Sequence, residues 1–429
     1  MRSVVVDSSQ TKLKLAPTMT RLIHPIFYCL VHLLICGNRL QAQIPQSQMA
    51  QSHRTTAAAL AAKHDYTGAI QEYQEAYALD KVSDLSNAGT DLFNIGKVYS
   101  KLGQFERAID FSQRALPVER EVKDREAEFA ILSILGENYH DLRQYDKAID
   151  FYRQALSVAR EIKNRAGESL NLRSVGDTYA DLSRYDKAVD FYQQALVIER
   201  ETKNRAAEAG ILNNLGLGYD ALRQYDKAID FYQQALVIKR EFNDQTGEAN
   251  TLQSLGVAYY RLSQYDKAIV VWQNALFIRR EIKDREGETS VLSNLGLGYG
   301  HMKQYDKAIN FLQQELIINR EVKDRAREAF TLNDIAVAYF NLRQYDKAID
   351  FYQLALLVER EVKDRAQEAH TLNNLGEAYS DLSYYEKAIT CFQQAIAIDH
   401  EIKDGSGEAT SLNNMERAQK AFKPVRLGR

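Results

Sequence analysis

Apolar residues recur along this chain at helical spacing, in blocks that repeat every 40 residues. In the block around Gly376, the residues Leu372, Leu375, Gly376, Tyr379 and Leu382 mark one helical face. A short break follows at 383–384, and Tyr385, Ala388, Ile389, Phe392, Ala395, Ile396 and Ile398 mark a second helix. No alternation of period two is sustained, and Ala, Leu, Gln, Glu, Lys and Arg dominate, which disfavours strands. Gly96, Gly136, Gly176, Gly216, Gly256, Gly296 and Gly376 step evenly, with Ala336 in the one gap. The run Gln-Tyr-Asp-Lys-Ala-Ile recurs from Gln144, Gln224, Gln264, Gln304 and Gln344. Such self-similarity predicts an array in which each unit packs on its neighbours around one continuous core. The expected fold is all-α: nine helix pairs over residues 51–404, then one terminal helix, with a basic tail, over 405–429.

The small residues have a steric reason. Gly376 and Ala388 let helices approach, and Tyr379 and Phe392 fill the wider gaps. Between units lies Lys-Asp-Arg or Lys-Asn-Arg, at 123–125, 163–165, 203–205, 283–285, 323–325 and 363–365. The Asp or Asn is placed to accept from the first free N–H groups of the next helix. The Lys closes the preceding helix, where positive charge opposes the dipole. Arg365 and Glu368, three apart, form a surface pair worth a few tenths of a kcal/mol.

The pattern Leu372-x2-Leu375-Gly376-x2-Tyr379, followed by Ala388-x3-Phe392 and Ala395, resembles the tetratricopeptide repeat, with Leu in place of its leading Trp. The closing Pro of that repeat is absent here, and each unit carries about six more residues than the standard one, which predicts longer helices. The long repeats are similar to those of Pins/LGN-type adaptors, kinesin light chains, bacterial peptide-sensing regulators and arrays that precede CHAT peptidase domains. The resemblance implies a right-handed α–α superhelix that binds protein or peptide segments in a concave groove.

In that family the groove positions flank the Leu-Gly pair of each first helix. Carried onto this chain, they are Lys97, Glu137, Asp141, Arg173, Asp177, Asp181, Asn213, Asn214, Asp220, Asn294, Asn333, Asn373, Asn374 and Glu377. Asn both donates and accepts and so suits a peptide backbone. The carboxylates Glu137, Asp141, Asp177, Asp181 and Asp220 around Arg173 imply a basic segment.

Ahead of the array, residues 22–36 are apolar, with basic residues before them and Leu-Gln-Ala at 40–42 after them. This is the layout of a secretory signal cleaved after Ala42, with 43–50 as a spacer. Fifteen residues are fewer than the roughly 20 a membrane-spanning helix needs. Translation from Met19 gives a better-proportioned signal. The expected location is the cell envelope, periplasmic or extracellular, with no membrane insertion after cleavage. Cys29 and Cys36 lie in the signal, so Cys391, at a position that is Phe in several units, is left without a disulfide partner.

Little else in the sequence carries chemistry. The net charge is −3 with both signs interspersed, which points to no nucleic-acid partner. No His or Cys pair has metal-ligand spacing. Leu-Gly-Leu-Gly-Tyr at 215–219 and 295–299 follows helix and lacks the Gly-Lys-Ser/Thr of a phosphate loop. Acidic residues recur on one face of every unit, as a solvated face would have them. The expectation is a non-catalytic scaffold without cofactors. The alternative is a sensor or adaptor module that delivers a partner to a separate peptidase or signalling enzyme.

Overall fold

A computed structural model describes residues 45–422. The expected signal, with its cleavage point and Cys29 and Cys36, lies outside the described residues, as do Lys423, Arg426 and Arg429. The described residues form nineteen helices and no strand. The pairs are α1 (Gln46–Ala62) with α2 (Tyr66–Asp80), α3 (Leu85–Lys101) with α4 (Phe105–Val122), and α5 (Arg125–Asp141) with α6 (Tyr145–Glu161). They continue as α7 (Arg165–Asp181) with α8 (Tyr185–Glu201), α9 (Arg205–Ala221) with α10 (Tyr225–Glu241), and α11 (Gln245–Arg261) with α12 (Tyr265–Glu281). The last three pairs are α13 (Arg285–His301) with α14 (Tyr305–Glu321), α15 (Arg325–Asn341) with α16 (Tyr345–Val362), and α17 (Arg365–Asp381) with α18 (Tyr385–Ile402). The unpaired α19 (Gly405–Ala421) follows. The chain divides between Val158 and Ala159 into two compact units.

One expected boundary changes. α1 begins at Gln46, inside the stretch read as a spacer, because Pro45 stands at its N-cap with φ −54° and suits a helix start. α4 runs unbroken through Pro117. The proline removes one donor without ending the helix.

The junction residues work as the sequence predicts at the helix starts. Asp124 accepts from Ala127 N–H at 2.9 Å, Asn164 from Gly167 N–H at 2.8 Å, and Asp364 from Gln367 N–H at 3.1 Å. The lysine before each cap does more than oppose a dipole. Lys123, Lys163, Lys203, Lys283, Lys323, Lys363 and Lys403 all adopt left-handed backbone, with φ between 56° and 62°. The turns within pairs use the same device at Arg143, Ser183, Arg223, Ser263, Lys303, Arg343 and Ser383. There the next residue bonds back five positions, as Gln224 N–H does to Tyr219 O at 2.8 Å, which closes a Schellman turn. Glycine takes this role only at Gly103, φ 69°.

Five of the stepped first-helix glycines, Gly136, Gly176, Gly216, Gly256 and Gly376, make room for an aromatic ring on the partner helix, whereas Gly96 faces Ser112 and Gly296 faces Leu312. A Cβ on Gly216 would lie 2.4 Å from the Tyr232 ring, and one on Gly376 would lie 2.5 Å from Phe392. The rest of the recurring motif joins the two helices of a pair and ties it to the preceding repeat. Tyr219 stacks on Phe231 at 5.4 Å, Lys227 sits over the Tyr219 ring at 5.1 Å, and Gln193 of the preceding pair donates to the Tyr219 hydroxyl at 2.9 Å. In the last pair Cys391 replaces the Phe of this stack. It is buried, and burial pushes its thiol up to about 11.

The acidic residues are not all a solvated face. Glu128, Glu168, Glu208, Glu288, Glu328 and Glu368 are buried. Each accepts from two arginines: Arg200 Nε donates to Glu208 at 2.9 Å and Arg205 at 2.8 Å. Arg205 then reaches Glu241, at the far end of the same pair, at 3.0 Å. Arg365 and Glu368 therefore belong to a charged ladder that ties successive pairs together through charge-assisted bonds. Burial works to raise Glu168, but hydrogen bonds from Arg160 and Arg165 outweigh it and hold the carboxyl below its usual range. The ladder loses one arm where Gln245 replaces Arg, leaving Glu248 with Arg240 at 2.6 Å.

Candidate functional site

The predicted groove positions lie on the first helices, and the structure sorts them by what they touch. In the first unit, Lys97, Glu137 and Asp141 are exposed. Lys97 lies over the Phe93 ring at 5.5 Å, and Asp141 is 3.8 Å from His140.

In the second unit the carboxylates differ from expectation. Asp181 is exposed, but Asp177 and Asp220 are half-buried. Asp177 accepts from the Tyr192 hydroxyl at 2.7 Å and from Asn214 Nδ2 at 3.1 Å. It is occupied by the aromatic residue that packs against Gly176. Burial raises Asp220 above the usual carboxylate range, while Arg261 pulls the other way. Asp177, Asp181 and Asp220 thus do not all face water, and Arg173 is itself half-buried.

The asparagines differ too. Asn213 accepts from the Thr251 hydroxyl at 3.1 Å, one repeat further on. Asn333 is 3% exposed and is not a groove-surface residue. It sits in the joint between repeats, accepting from Thr371 and Asn374 at 3.4 Å each. Asn414 of α19 donates to Asn373 at 3.2 Å and to Glu377 at 2.8 Å. These amides tie one first helix to the next before any partner arrives. Asn294 is half-buried beside a pocket-lining residue, Ser293.

Hollows open on this face in the second unit, one of about 410 Å³ lined by Glu377, Asp381, Tyr385, Phe392, Asn414 and Arg417, and two more. One, of about 280 Å³, is lined by Asp177, Asp181, Tyr185, Tyr192, Asn214 and Leu217. The other, of about 310 Å³, lies between α13, α14 and α15. Gly296 and Leu312 line it together with Leu297, Gly300, Asp334 and Val337. Sequence reasoning did not find the latter. Its signal was departure from the repeat at Gly300, Leu312 and Asp334.

Burial pushes the Asp334 carboxyl up to about 6, though its side chain still reaches water. His301 and Tyr305 also line the hollow, and His301 stacks on Tyr265 at 5.2 Å and meets Tyr260 edge-on at 5.1 Å. Among the described residues no group of His, Cys, Asp and Glu is arranged to hold a metal ion. No described helix is long and apolar enough to cross a membrane.

Solved structures share the fold. The quorum sensor NprR from B. thuringiensis, in its apo form, matches with 13% identity and a TM-score of 0.51, covering 79% of this chain and 96% of that one. A signal transduction ATPase with numerous domains from Pyrococcus horikoshii, which has a tetratricopeptide repeat sensor, matches with 15% identity and a TM-score of 0.51. That alignment covers 82% of this chain and 53% of the other. BtubC from P. vanneervenii matches with 20% identity and a TM-score of 0.46, covering 55% of this chain and 92% of that one. No curated protein matches in sequence. The family model for the tetratricopeptide repeat matches residues 48–121, 127–201, 168–241, 207–276, 247–321, 287–358 and 327–401. With its paired helices, glycine–aromatic contacts and repeat-long family match, the chain belongs to the tetratricopeptide repeat family.

Proposed function

We propose that this protein is an exported, non-catalytic scaffold that binds extended protein or peptide segments on the first-helix face. One observation supports this above others. The residues that join repeats recur with the period, whereas those on the first-helix face change from unit to unit. At one such position stand Lys97, Glu137, Asp177, Leu217, Val257, Leu297, Val337 and Glu377. A purely structural surface has no need of that variety next to so regular a frame. The mixture of amides, carboxylates and aliphatic side chains suits an extended chain, whose backbone needs polar partners and whose side chains need separate places. Export rests on the apolar stretch at 22–36 and the small residue Ala42.

The test is affinity capture from envelope extracts with a chain beginning at Gln43, followed by mass spectrometry. Capture should fall when exposed first-helix residues such as Asp181 and Lys97 are reversed in charge. Capture unchanged by these reversals would move the binding surface elsewhere. Co-capture of a peptidase or signalling enzyme would make the chain an adaptor. Amino-terminal sequencing of the exported protein should begin at or near Gln43, and intact Met1 or Met19 in a soluble cytoplasmic pool overturns export.

A further inference from the structure

Three residues that depart from the repeat converge on one cavity. Gly300 stands where the neighbouring repeats have Tyr260 and Phe340, and a Cβ placed on it would meet nothing within 4 Å. Leu312 stands where they have Trp272 and Tyr352, so no ring lies over Gly296. Asp334 stands where they have Asn294 and Asn374. The first two changes leave the hollow of about 310 Å³ between α13, α14 and α15 walled by Gly300 and Leu312 in place of rings, and the third places a carboxylate in it. That volume reaches the lower end of ligand sites, about 300–1,000 Å³.

The cavity is apolar along its sides, through Leu297, Leu312 and Val337, and acidic at one point. Asp334 takes a hydrogen bond from Asn333, and the charged group felt nearby, Glu315, has the same sign. No lysine, arginine or histidine forms an ion pair with Asp334 among the described residues. In other repeats the equivalent amide is used internally: Asn214 donates to Asp177, and Asn374 to Asn333. The corresponding neighbour of Asp334 in the preceding repeat is Leu297, which accepts nothing. The charge is therefore left over by the architecture. Ser293 and Asn341 also line the cavity. The Asn341 amide donates to Val337 O at 2.8 Å, which leaves its oxygen as an acceptor. A guest with an aliphatic stem and three donors at its tip matches these walls, and that is a lysine side chain.

We propose that this cavity holds a lysine side chain of a bound segment, with its stem against Leu297, Leu312 and Val337 and its ammonium on Asp334. The proposal rests on the reading that extended segments lie on the first-helix face, and it names a residue they carry.

The test is methyl NMR on the full chain with two blocked pentapeptides, one with lysine at the centre of four serines and one with norleucine there. The lysine peptide should shift the Leu297, Leu312 and Val337 methyls and bind about threefold or more tighter than the norleucine peptide, as expected for losing one ion pair to an exposed carboxylate. Asp334→Asn should erase that difference, and Gly300→Phe should weaken both peptides. Both variants restore residues found in adjacent repeats, so folding is expected to survive, and the NMR spectrum reports it directly. Equal binding of the two peptides, or an unchanged ratio in Asp334→Asn, overturns the proposal. Pentylamine shifting the same methyls as strongly as the peptide assigns the cavity to a free amine and overturns it as well. Shifts elsewhere on the first helices without a lysine preference sink this inference and leave the groove reading standing. Absence of any shift on that face removes both.

Discussion

Replacing Glu315 with Ala should change the sign of its effect between pH 5 and pH 8. The equivalent residues in other units are Ala155, Ala195, Ala235, Ala275, Ala355 and Ala395. Glu315 is 6% exposed, and its Oε2 has no hydrogen-bond partner. Burial raises its carboxyl from 4.5 to about 7, helped by Asp334 and opposed by hydrogen bonds with Thr331 and Asn319 and by Arg327. A carboxyl with a folded-state value above its unfolded one favours folding while protonated. It costs stability as pH rises from the unfolded value through the folded one. The full cost is about 3 kcal/mol, of which about 2.5 kcal/mol develops between pH 5 and pH 8. Against this, the alanine forfeits one buried methylene and leaves a void where the carboxyl packed, together about 1.6 kcal/mol. Glu315→Ala should therefore destabilise by about 1 kcal/mol at pH 5 and stabilise by about 1.5 kcal/mol at pH 8. Urea unfolding followed through Trp272 emission is the assay, since that ring is buried and packs near Gly298 of the adjacent repeat. Buried Glu119 and Glu359, each raised to about 7, titrate alike in both proteins and cancel in the difference. A stability difference that is flat with pH would refute the reasoning.

Further outcomes follow from packing and backbone. Gly216→Ala should destabilise by about 1–3 kcal/mol in thermal or urea unfolding, because its Cβ would press into the Tyr232 ring at 2.4 Å. Lys203→Gly should stabilise by about 0.5–1 kcal/mol by the same measurement, since the lysine holds φ at 56°. Hydrogen exchange should be faster in α4, where Pro117 lacks a donor, and in α14, around Glu315, than in α8 and α10; uniform protection would contradict this.

The helix count and the N-caps were legible because each depends on residues adjacent in sequence or one turn apart. The charged ladder was not, because it spans a turn. Arg360 reaches Glu368 at 2.7 Å across eight residues, a separation that places nothing on one face of a single helix. A surface pair of Arg365 and Glu368 was all that helical spacing could propose. The left-handed lysines were missed because sequence rules look for glycine there, while this repeat tolerates a side chain that points into solvent. Asn333 was read as groove surface from its offset to Ala336. Its burial is set by Thr371, almost a full repeat later. The lysine-sized cavity needed Gly300, Leu312 and Asp334 to be brought together from 12 and 22 residues apart, which only the packing of α13, α14 and α15 does.

The missing arm at Gln245 has a mechanical consequence. Elsewhere each arginine pair fixes a buried glutamate from two sides and spans from the start of one helix to the end of its partner. In the sixth pair Glu248 is held from one side only, and Glu281 has no arginine at position 245 to meet it. In its place the sixth pair has a buried strut: Arg279 of α12 bonds Asn250 of α11 and Asp284 at the next cap. The exposed struts of the other pairs weaken as salt rises, whereas this buried one is screened far less, so salt should loosen the neighbouring pairs of the second unit before α11 and α12.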